Sequence, residues 1–372
     1  LITLYHLIFI VKIKNNMTVC ILGNGLSALA LAKALVNQNI NVDILFIKKN
    51  LQFSKSRTIG ISKSNADYFN KNIIYIKNLL WKLKKIDVYS ENLKKEKLIN
   101  FKDNNELFSI VKNYKLHQIL EKSLSKNKFF KKIEVNNKNL SFVEKYKLII
   151  NTDYENIITK KFFSKKIVKK YNSIAYTTII KHEKILNDTA SQIFTSRGPL
   201  AFLPISNTET SVVYSIHNFP RKKNENIENL IKKINYKYQI KDIAKISCFK
   251  LKSLNLRSYH HNNILAFGDL LHKIHPLAGQ GFNMTIRDIK ILLKIIKRKY
   301  DLGLSLDSSV NTEFEDNLKH KNFIFSNGVD FIHEFFNLER KIKNNFLSKS
   351  VQLFGRQPAI NKIFAKIADK GI

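Results

Sequence analysis

Gly268-Asp269-Leu270-Leu271-His272-Lys273-Ile274-His275-Pro276-Leu277-Ala278-Gly279-Gln280-Gly281-Phe282-Asn283-Met284-Thr285-Ile286-Arg287-Asp288 is the stretch that decides the fold. A β-like run, Ile264 to Phe267, leads into it, and a helical run, Ile289 to Ile296, follows it. Three glycines, a proline, two Asp and one Asn lie between them. Glycine lets backbone approach a ligand closely and adopt positive φ. Gly279-Gln280-Gly281 before a helix leaves free N–H groups at the helix N-terminus. Such an end favours negative charge.

The chain begins with a matching signal. Thr18 to Leu22 is a short β-branched run that enters Gly23-Asn24-Gly25-Leu26-Ser27-Ala28. An apolar helix follows to about Gln38, then a strand from Val42 to Ile47. This G-x-G-x-x-A turn in a strand–helix–strand unit sets a dinucleotide pyrophosphate on a helix N-terminus.

Together these stretches resemble the FAD-dependent aromatic hydroxylases, the p-hydroxybenzoate hydroxylase superfamily. The wording His275 to Asp288 is similar to the ubiquinone-biosynthesis branch. The resemblance implies a Rossmann-like α/β FAD-binding domain, an inserted antiparallel-sheet substrate domain and C-terminal helices. The expected boundaries are 17–165 with 255–300, 166–254, and 301–372. Residues 1–16 read as an upstream extension, with Met17 as the true start. The implied FAD contacts are Gly23, Gly25, Ala28, Arg57, Asp153, Gly268, Asp269, Pro276, Gly279, Gln280, Gly281 and Asn283. In the family the carboxylate matching Asp269 holds ribityl hydroxyls. The Gly-Gln-Gly turn lies against the ring, where a helix end suits the charge of reduced flavin. Arg57 stands in Ser56-Arg57-Thr58-Ile59-Gly60-Ile61-Ser62, the counterpart of the family's Arg-x-Ile-x-x-Ser. Gly198-Pro199-Leu200-Ala201-Phe202-Leu203-Pro204 matches a run bordering the substrate site.

Five positions depart from the family. The carboxylate expected on the adenosine ribose falls on Phe46, with Asp43 three residues early on the opposite pleat face. Tyr114 stands where Arg is common. In Asn151-Thr152-Asp153-Tyr154, Tyr154 replaces a glycine, and Ile157 and Lys160 replace a Ser and an Arg. A tyrosine does not take a glycine-only conformation cheaply, so this loop must be shaped differently. That argues against free NAD(P)H as donor and for an electron-donor protein. The departures also keep a rival reading open: a flavin-poor paralogue serving as scaffold subunit of a quinone-synthesis complex. The favoured reading is a monooxygenase that puts one atom of O₂ onto the ring of a polyprenyl phenol.

The net charge is +35 over 372 residues. Lys is spread along the chain with Asn, Ile, Phe and Tyr, all A/T-rich codons, so compositional drift explains most of it. No zinc-finger spacing or aromatic–basic motif points to nucleic acid. Cys20 and Cys248 form no C-x-x-C and read as buried thiols in a reducing compartment. His272 and His275, three apart, form no evident ligand set with a carboxylate or a third histidine, and the resembled family is not metal-dependent at this place, so no metal is expected; His117 reads as packing. A catalytic base cannot be named from sequence.

Helices are also expected at 66–81 and 225–238, the second as a basic surface helix, and over most of 311–372. Antiparallel strands are expected at Ile174 to Lys181 and Thr210 to Ile216. Leu1 to Val11 is too short to span a bilayer. Near the C-terminus, Lys341, Lys343, Lys349, Arg356, Lys362, Lys366 and Lys370 interleave with Phe346, Leu347, Val351, Leu353, Phe354, Ile363, Phe364 and Ile367. This pattern suits a stripe lying on anionic lipid, at the cytoplasmic face of the cell membrane.

Overall fold

The computed structural model describes residues 18–48, 54–91, 96–104, 106–135, 142–217, 226–275, 279–342, 346–355 and 357–371. Three sheets organise them. The first has six strands in the spatial order His260–His261, Ile264–Ala266, Ile149–Asn151, Thr18–Leu22, Asn41–Phe46, Phe130–Glu134. All neighbours are parallel except the first pair. Parallel strands buried on both faces read as continuous apolar runs, and Val19, Cys20, Ile21, Ile149 and Ile150 are all fully buried.

The Leu26–Val36 helix covers this sheet. Its sequence LSALALAKALV is built from strong helix formers, and eight of its eleven residues are buried. A helix apolar on nearly every side belongs inside the core. The Gln280–Asp301 helix buries Met284, Ile286, Ile289, Leu292, Leu293, Ile295 and Ile296. The expected run Ile289 to Ile296 is therefore only its second half.

The second sheet has nine strands and is largely antiparallel. Its backbone is the Lys166–His182 strand, paired with Glu209–His217 and with Ser247–Leu256. The expected antiparallel strands 174–181 and 210–216 lie opposite each other in this pair. Lys85–Ser90 and Lys97–Lys102 join the far edge of the same sheet, although they precede residue 166 in the chain. A third, three-stranded sheet holds Thr58–Ser62, Phe108–Lys112 and Trp81–Leu83.

The Lys166–His182 strand carries a bulge. Its pairing shifts between Lys170 and Ile174, which oppose Lys252 and Lys250. Asn172 takes φ 49° there, a conformation Asn tolerates better than most residues. A bulge of this kind re-aims a side chain, and Tyr171 is buried.

The helix expected to reach Trp81 stops at Asn72. Asn70 donates to the Ala66 carbonyl at 2.8 Å and accepts from the Ile76 amide at 2.7 Å, closing off the last turn. Trp81 is instead in a strand, and its indole donates to the Asn187 carbonyl at 2.7 Å. The expected surface helix is shorter, Ile227–Ile234, and its Ile231 seals a cluster with Ile180, Phe202 and Tyr214. Glu225, the first residue of that expectation, lies outside the described residues. Cys248 is exposed, not buried: it stands at the start of the Ser247–Leu256 strand, where Phe249 and Lys250 are exposed as well.

The C-terminal helices Ser308–Ile342, Phe346–Gly355 and Pro358–Lys370 pack back onto the molecule. Ser64 donates its amide to Asp369 Oδ1 at 2.8 Å, and Ser62 Oγ donates to the Asp369 carbonyl at 2.9 Å. No helix of the described residues is long and apolar enough to cross a membrane.

Candidate functional site

The carboxyl ends of three adjacent parallel strands meet at one edge of the first sheet. Thr18–Leu22 runs into Gly23, Ile149–Asn151 into Thr152 and Asp153, and Ile264–Ala266 into Gly268. The chain order reverses direction around Thr18–Leu22, which is where open α/β sheets bind ligands.

Gly23 has φ +101°, and a Cβ there would meet Thr152 Oγ1 at 2.6 Å and Asp153 Cβ at 3.3 Å. Only glycine lets these two strand ends touch. Thr152 then donates to the Leu22 carbonyl at 2.7 Å. Gly25 stands as N-cap of the Leu26–Val36 helix with no side-chain cap. A Cβ on Gly25 would meet no described atom within 4 Å. Ala28 is fully buried, one turn inside that helix.

The second glycine-rich stretch is pressed against the first. Gly268, φ +64°, starts a single 3-10 turn, and a Cβ there would lie 2.8 Å from both Cβ and Oγ of Ser27. Asp269 is exposed beside it. Its charge acts on Lys273, as does that of Arg57. Lys273 is held below its ordinary value by burial first, with Asp269 opposing and Lys252 and Arg57 adding to the lowering. Arg57 itself is exposed, and its carbonyl accepts from the Asn113 amide at 3.1 Å.

Gly279 caps the Gln280–Asp301 helix in the left-handed region, φ 63°. A Cβ there would meet the Gly60 amide nitrogen at 3.4 Å. Asn283 fixes this end of the helix. Its Oδ1 accepts from the Ser62 amide at 2.9 Å and from Asn65 at 3.1 Å, and its Nδ2 donates to the Gly60 carbonyl at 3.1 Å. The Asn283 side chain is fully buried, so its amide is committed to protein groups. Gln280 is also buried, but its Oε1 has no partner among the described residues. Gly281 has open space where a Cβ would stand. Pro276, with Leu277 and Ala278, lies outside the described residues.

The departures from the family pattern resolve physically. Phe46 ends its strand with the Lys132 ammonium 4.9 Å from its ring centre. Asp43 is taken by the Tyr146 hydroxyl at 2.6 Å, so it is a packing partner and does not replace the ribose carboxylate. Tyr154 is exposed and is not among the positive-φ residues. The loop it occupies is held by side chains instead. Asn151 donates to Thr159 Oγ1 at 2.8 Å, Asn156 donates to Asn151 Oδ1 at 2.9 Å, and Asp153 Oδ1 accepts from the Glu155 amide at 2.9 Å. His117 Nε2 lies 3.1 Å from the Asn24 carbonyl and braces the first glycine turn. Tyr114 is half-buried in the first turn of the Asn113–Ser125 helix.

The two histidines of the central stretch differ. His272 is bonded to Asp288 in full burial, and Asn322 donates to the other carboxylate oxygen at 3.2 Å. This pair ties the strand before the loop to the helix after it. His275 packs instead against Tyr171 and His333, with ring centres 4.9 and 4.3 Å away. Sequence gave no warning of this cluster, because its members are spread over more than 150 positions and share no motif.

The arrangement offers what FAD needs. Two glycine cradles are open, at Gly25 and Gly281. Two helix N-termini begin at glycines, Gly25 and Gly279; Gln280 Oε1 is buried without a partner among the described residues, and Asp269 is exposed. The family of the FAD binding domain matches residues 147–301, which contain Asp153, Gly268, Asp269 and Gly279–Asn283. This match takes in less than half of the chain. The matched domain is an FAD binding one, and the open positions at Gly25 and Gly281 fit that cofactor.

The chain is 23% identical over 275 residues to the mitochondrial ubiquinone biosynthesis monooxygenase COQ6 of Schizosaccharomyces pombe, covering 61% of this chain and 57% of that one. It is 28% identical over 153 residues to the 3-demethoxyubiquinol 3-hydroxylase of Escherichia coli, covering 39% of each. The matches thus span about half or less of the curated relatives' length. Among solved structures, p-nitrophenol 4-monooxygenase PnpA from Pseudomonas putida superposes with a TM-score of 0.77 at 11% identity, over 95% of this chain and 98% of that one. HpxO of Klebsiella pneumoniae, complexed with FAD and uric acid, gives 0.72 at 11% identity over 96% and 97%. At these identities the structural likeness speaks for the fold.

Proposed function

We propose that this chain is an FAD-dependent monooxygenase that hydroxylates the aromatic ring of a polyprenyl phenol in ubiquinone biosynthesis. The observation that carries the reading is the junction of the two glycine stretches, Gly268 against Ser27, beside the open positions at Gly25 and Gly281. A scaffold that had given up its flavin would have no reason to keep those two positions clear. The relatives whose names specify ubiquinone-pathway hydroxylation supply the substrate class. Bound flavin supplies the activation of O₂, one atom of which goes to the ring while the other leaves as water.

The chain's own residues set the conditions for that chemistry. Gly23, Gly25 and the Leu26–Val36 helix end would receive the pyrophosphate. Asp269 would accept hydrogen bonds from ribityl hydroxyls, and Arg57 with Lys273 would balance negative charge nearby. The Gly279 cap and the helix behind it favour negative charge at the ring edge. The Asn151–Asn156–Thr159 network fills the loop that would otherwise meet a nicotinamide donor. This favours a protein or bound reductant as electron source.

The substrate's polyprenyl tail calls for work at a membrane face. Phe323, Ile324, Phe331, Ile332 and Leu338 are exposed along the Ser308–Ile342 helix, with Leu353, Ile363 and Phe364 exposed on the two helices after it. Ile367, from the same stripe, packs instead beside Phe325 and Val329. The side chains of Lys341, Lys343, Phe346, Leu347, Phe354 and Arg356 lie outside the described residues. With a net charge of +35, this surface fits an anionic bilayer.

The test is direct. Protein loaded with FAD and reduced chemically is mixed with O₂ and a short-chain prenylphenol, and the product is analysed. One ring oxygen gained, labelled from ¹⁸O₂, supports the reading. Oxygen consumption that yields only hydrogen peroxide, across a panel of prenylphenols, counts against it.

A further inference from the structure

His275 is 1% exposed, and neither of its ring nitrogens has a hydrogen-bond partner among the described residues. A buried imidazole with both nitrogens unpaired is costly unless something else satisfies them. The place of this one is informative. It precedes by four residues the Gly279 cap, and it meets the antiparallel sheet at Tyr171 and the long C-terminal helix at His333. It therefore stands where the glycine loop, the second sheet and the C-terminal helix come together.

Two neighbours hold the ring, with a third behind one of them. Tyr171 meets it edge-on, at 84° and 4.9 Å. His333 lies against it at 33° and 4.3 Å, and His217 follows His333 at 5.6 Å. Tyr171 is itself fixed. The bulge at Asn172 turns it inward, its hydroxyl is bonded to Asp330, and Ser253 donates to the other Asp330 oxygen at 3.3 Å. His217 Nδ1 lies 3.0 Å from Ser173 Oγ. Two elements of irregular backbone and a buried carboxylate are thus used to hold one imidazole whose polar atoms touch no described group.

We propose that His275 is the hydrogen-bonding anchor for the ring hydroxyl of the phenolic substrate, with Tyr171 and His333 as the residues that position it. The inference rests on the hydroxylase reading above and adds the residue that orients the ring. Burial, reinforced by His333 and His217, pushes His275 down to about 2, so it is a neutral imidazole. A neutral imidazole has one N–H donor and one acceptor nitrogen, and the acceptor takes the phenol O–H. A site built to bond a hydroxyl rejects the analogue lacking it, because its own polar atoms stay unpaired.

The experiment uses the full chain loaded with FAD and two probes: a short-chain prenylphenol and the same molecule lacking the hydroxyl. Binding is read from the perturbation of flavin absorbance. Wild-type protein should prefer the phenol by at least about tenfold. In His275→Phe that preference should fall below about twofold while FAD affinity is unchanged, and His275→Gln should recover part of it. His275→Leu serves if the Phe variant does not fold. A tenfold preference surviving in His275→Phe or His275→Leu overturns the assignment. So does a wild-type protein that binds FAD and both probes equally, and in that case the hydroxylase reading still stands. Wild-type protein that takes up no FAD, or takes up FAD and binds neither probe, overturns the hydroxylase reading and this assignment with it.

Discussion

Gly268 and Ser27 lie so close that a Cβ on the glycine would stand 2.8 Å from Ser27 Cβ and Oγ. This contact joins residues 241 positions apart and brings the two cofactor stretches together. Gly268 also has φ +64°, so a side chain there meets backbone strain as well as a neighbour. Gly268→Ala should cost about 1–3 kcal/mol of stability. Adding Ser27→Gly should recover the steric part and leave the strain. Urea unfolding of the single and double variants checks this; full recovery would mean that the backbone conformation carries no cost.

Asp269 is exposed, and its carboxylate makes no hydrogen bond or ion pair among the described residues. Asp269→Ala should therefore leave the unfolding midpoint of the FAD-free protein within the usual range for surface changes, about 0.5 kcal/mol. It should weaken FAD binding by about tenfold or more, since hydrogen bonds to a charged group contribute about 1.5–3 kcal/mol. Fluorescence titration with FAD reads the loss. Wild-type affinity in the variant would give this stretch another role.

His275 predicts an acid limb in stability. Its ordinary value is 6.5, and in the folded protein it is pushed down to about 2. Between these values the unfolded chain binds the extra proton, so stability rises with pH. The contribution is fully present above about 6.5 and is lost as pH falls toward 2, at up to about 1.4 kcal/mol per unit. Tyr171 and His333 face the ring, with His217 behind His333 and Asp330 behind Tyr171. The informative quantity is the difference between wild type and His275→Phe in urea at pH 7 and pH 4.5. The wild type should lose more stability over that interval than the variant. Equal losses would show that His275 does not titrate as described.

The exposed apolar residues of the Ser308–Ile342 helix predict membrane contact. Ile324 and Phe331 are 53% and 68% exposed, so replacing both by Ser should leave the fold intact. Flotation with anionic vesicles at low salt should drop several-fold in the double variant. High salt should weaken the wild type too, because screening shortens electrostatic reach. Flotation unchanged by the substitutions would assign the attraction to charge alone.

Much of this molecule was legible from local pattern. The strand–glycine–helix unit at Thr18–Val36 and the Gly279 cap follow from residues adjacent in sequence, where backbone rules act directly. The bounds of helices were harder. Asn70 ended a helix nine residues before the pattern suggested, by bonding back to its own turn. Cys248 is exposed because both faces of its strand are uncovered from Cys248 to Lys250, which residue type does not tell. The cluster at His275 was out of reach for a different reason. Tyr171, His217, His275 and His333 come from two strands, a loop and a helix, and only the Asn172 bulge and the packing of the C-terminal helix bring them together.

The claim that matters most is that the open glycine at position 25 is a cofactor cradle. A Cβ there meets no described atom within 4 Å, and its φ of −72° suits alanine. Gly25→Ala should therefore leave the FAD-free protein as stable as wild type, within about 0.5 kcal/mol, while weakening FAD binding by about tenfold or more. The measurement is an FAD titration of the two proteins side by side, with urea unfolding as control. Loss of FAD affinity at unchanged stability is the predicted result. Equal FAD affinity in wild type and Gly25→Ala, or no FAD uptake by either, would contradict the account.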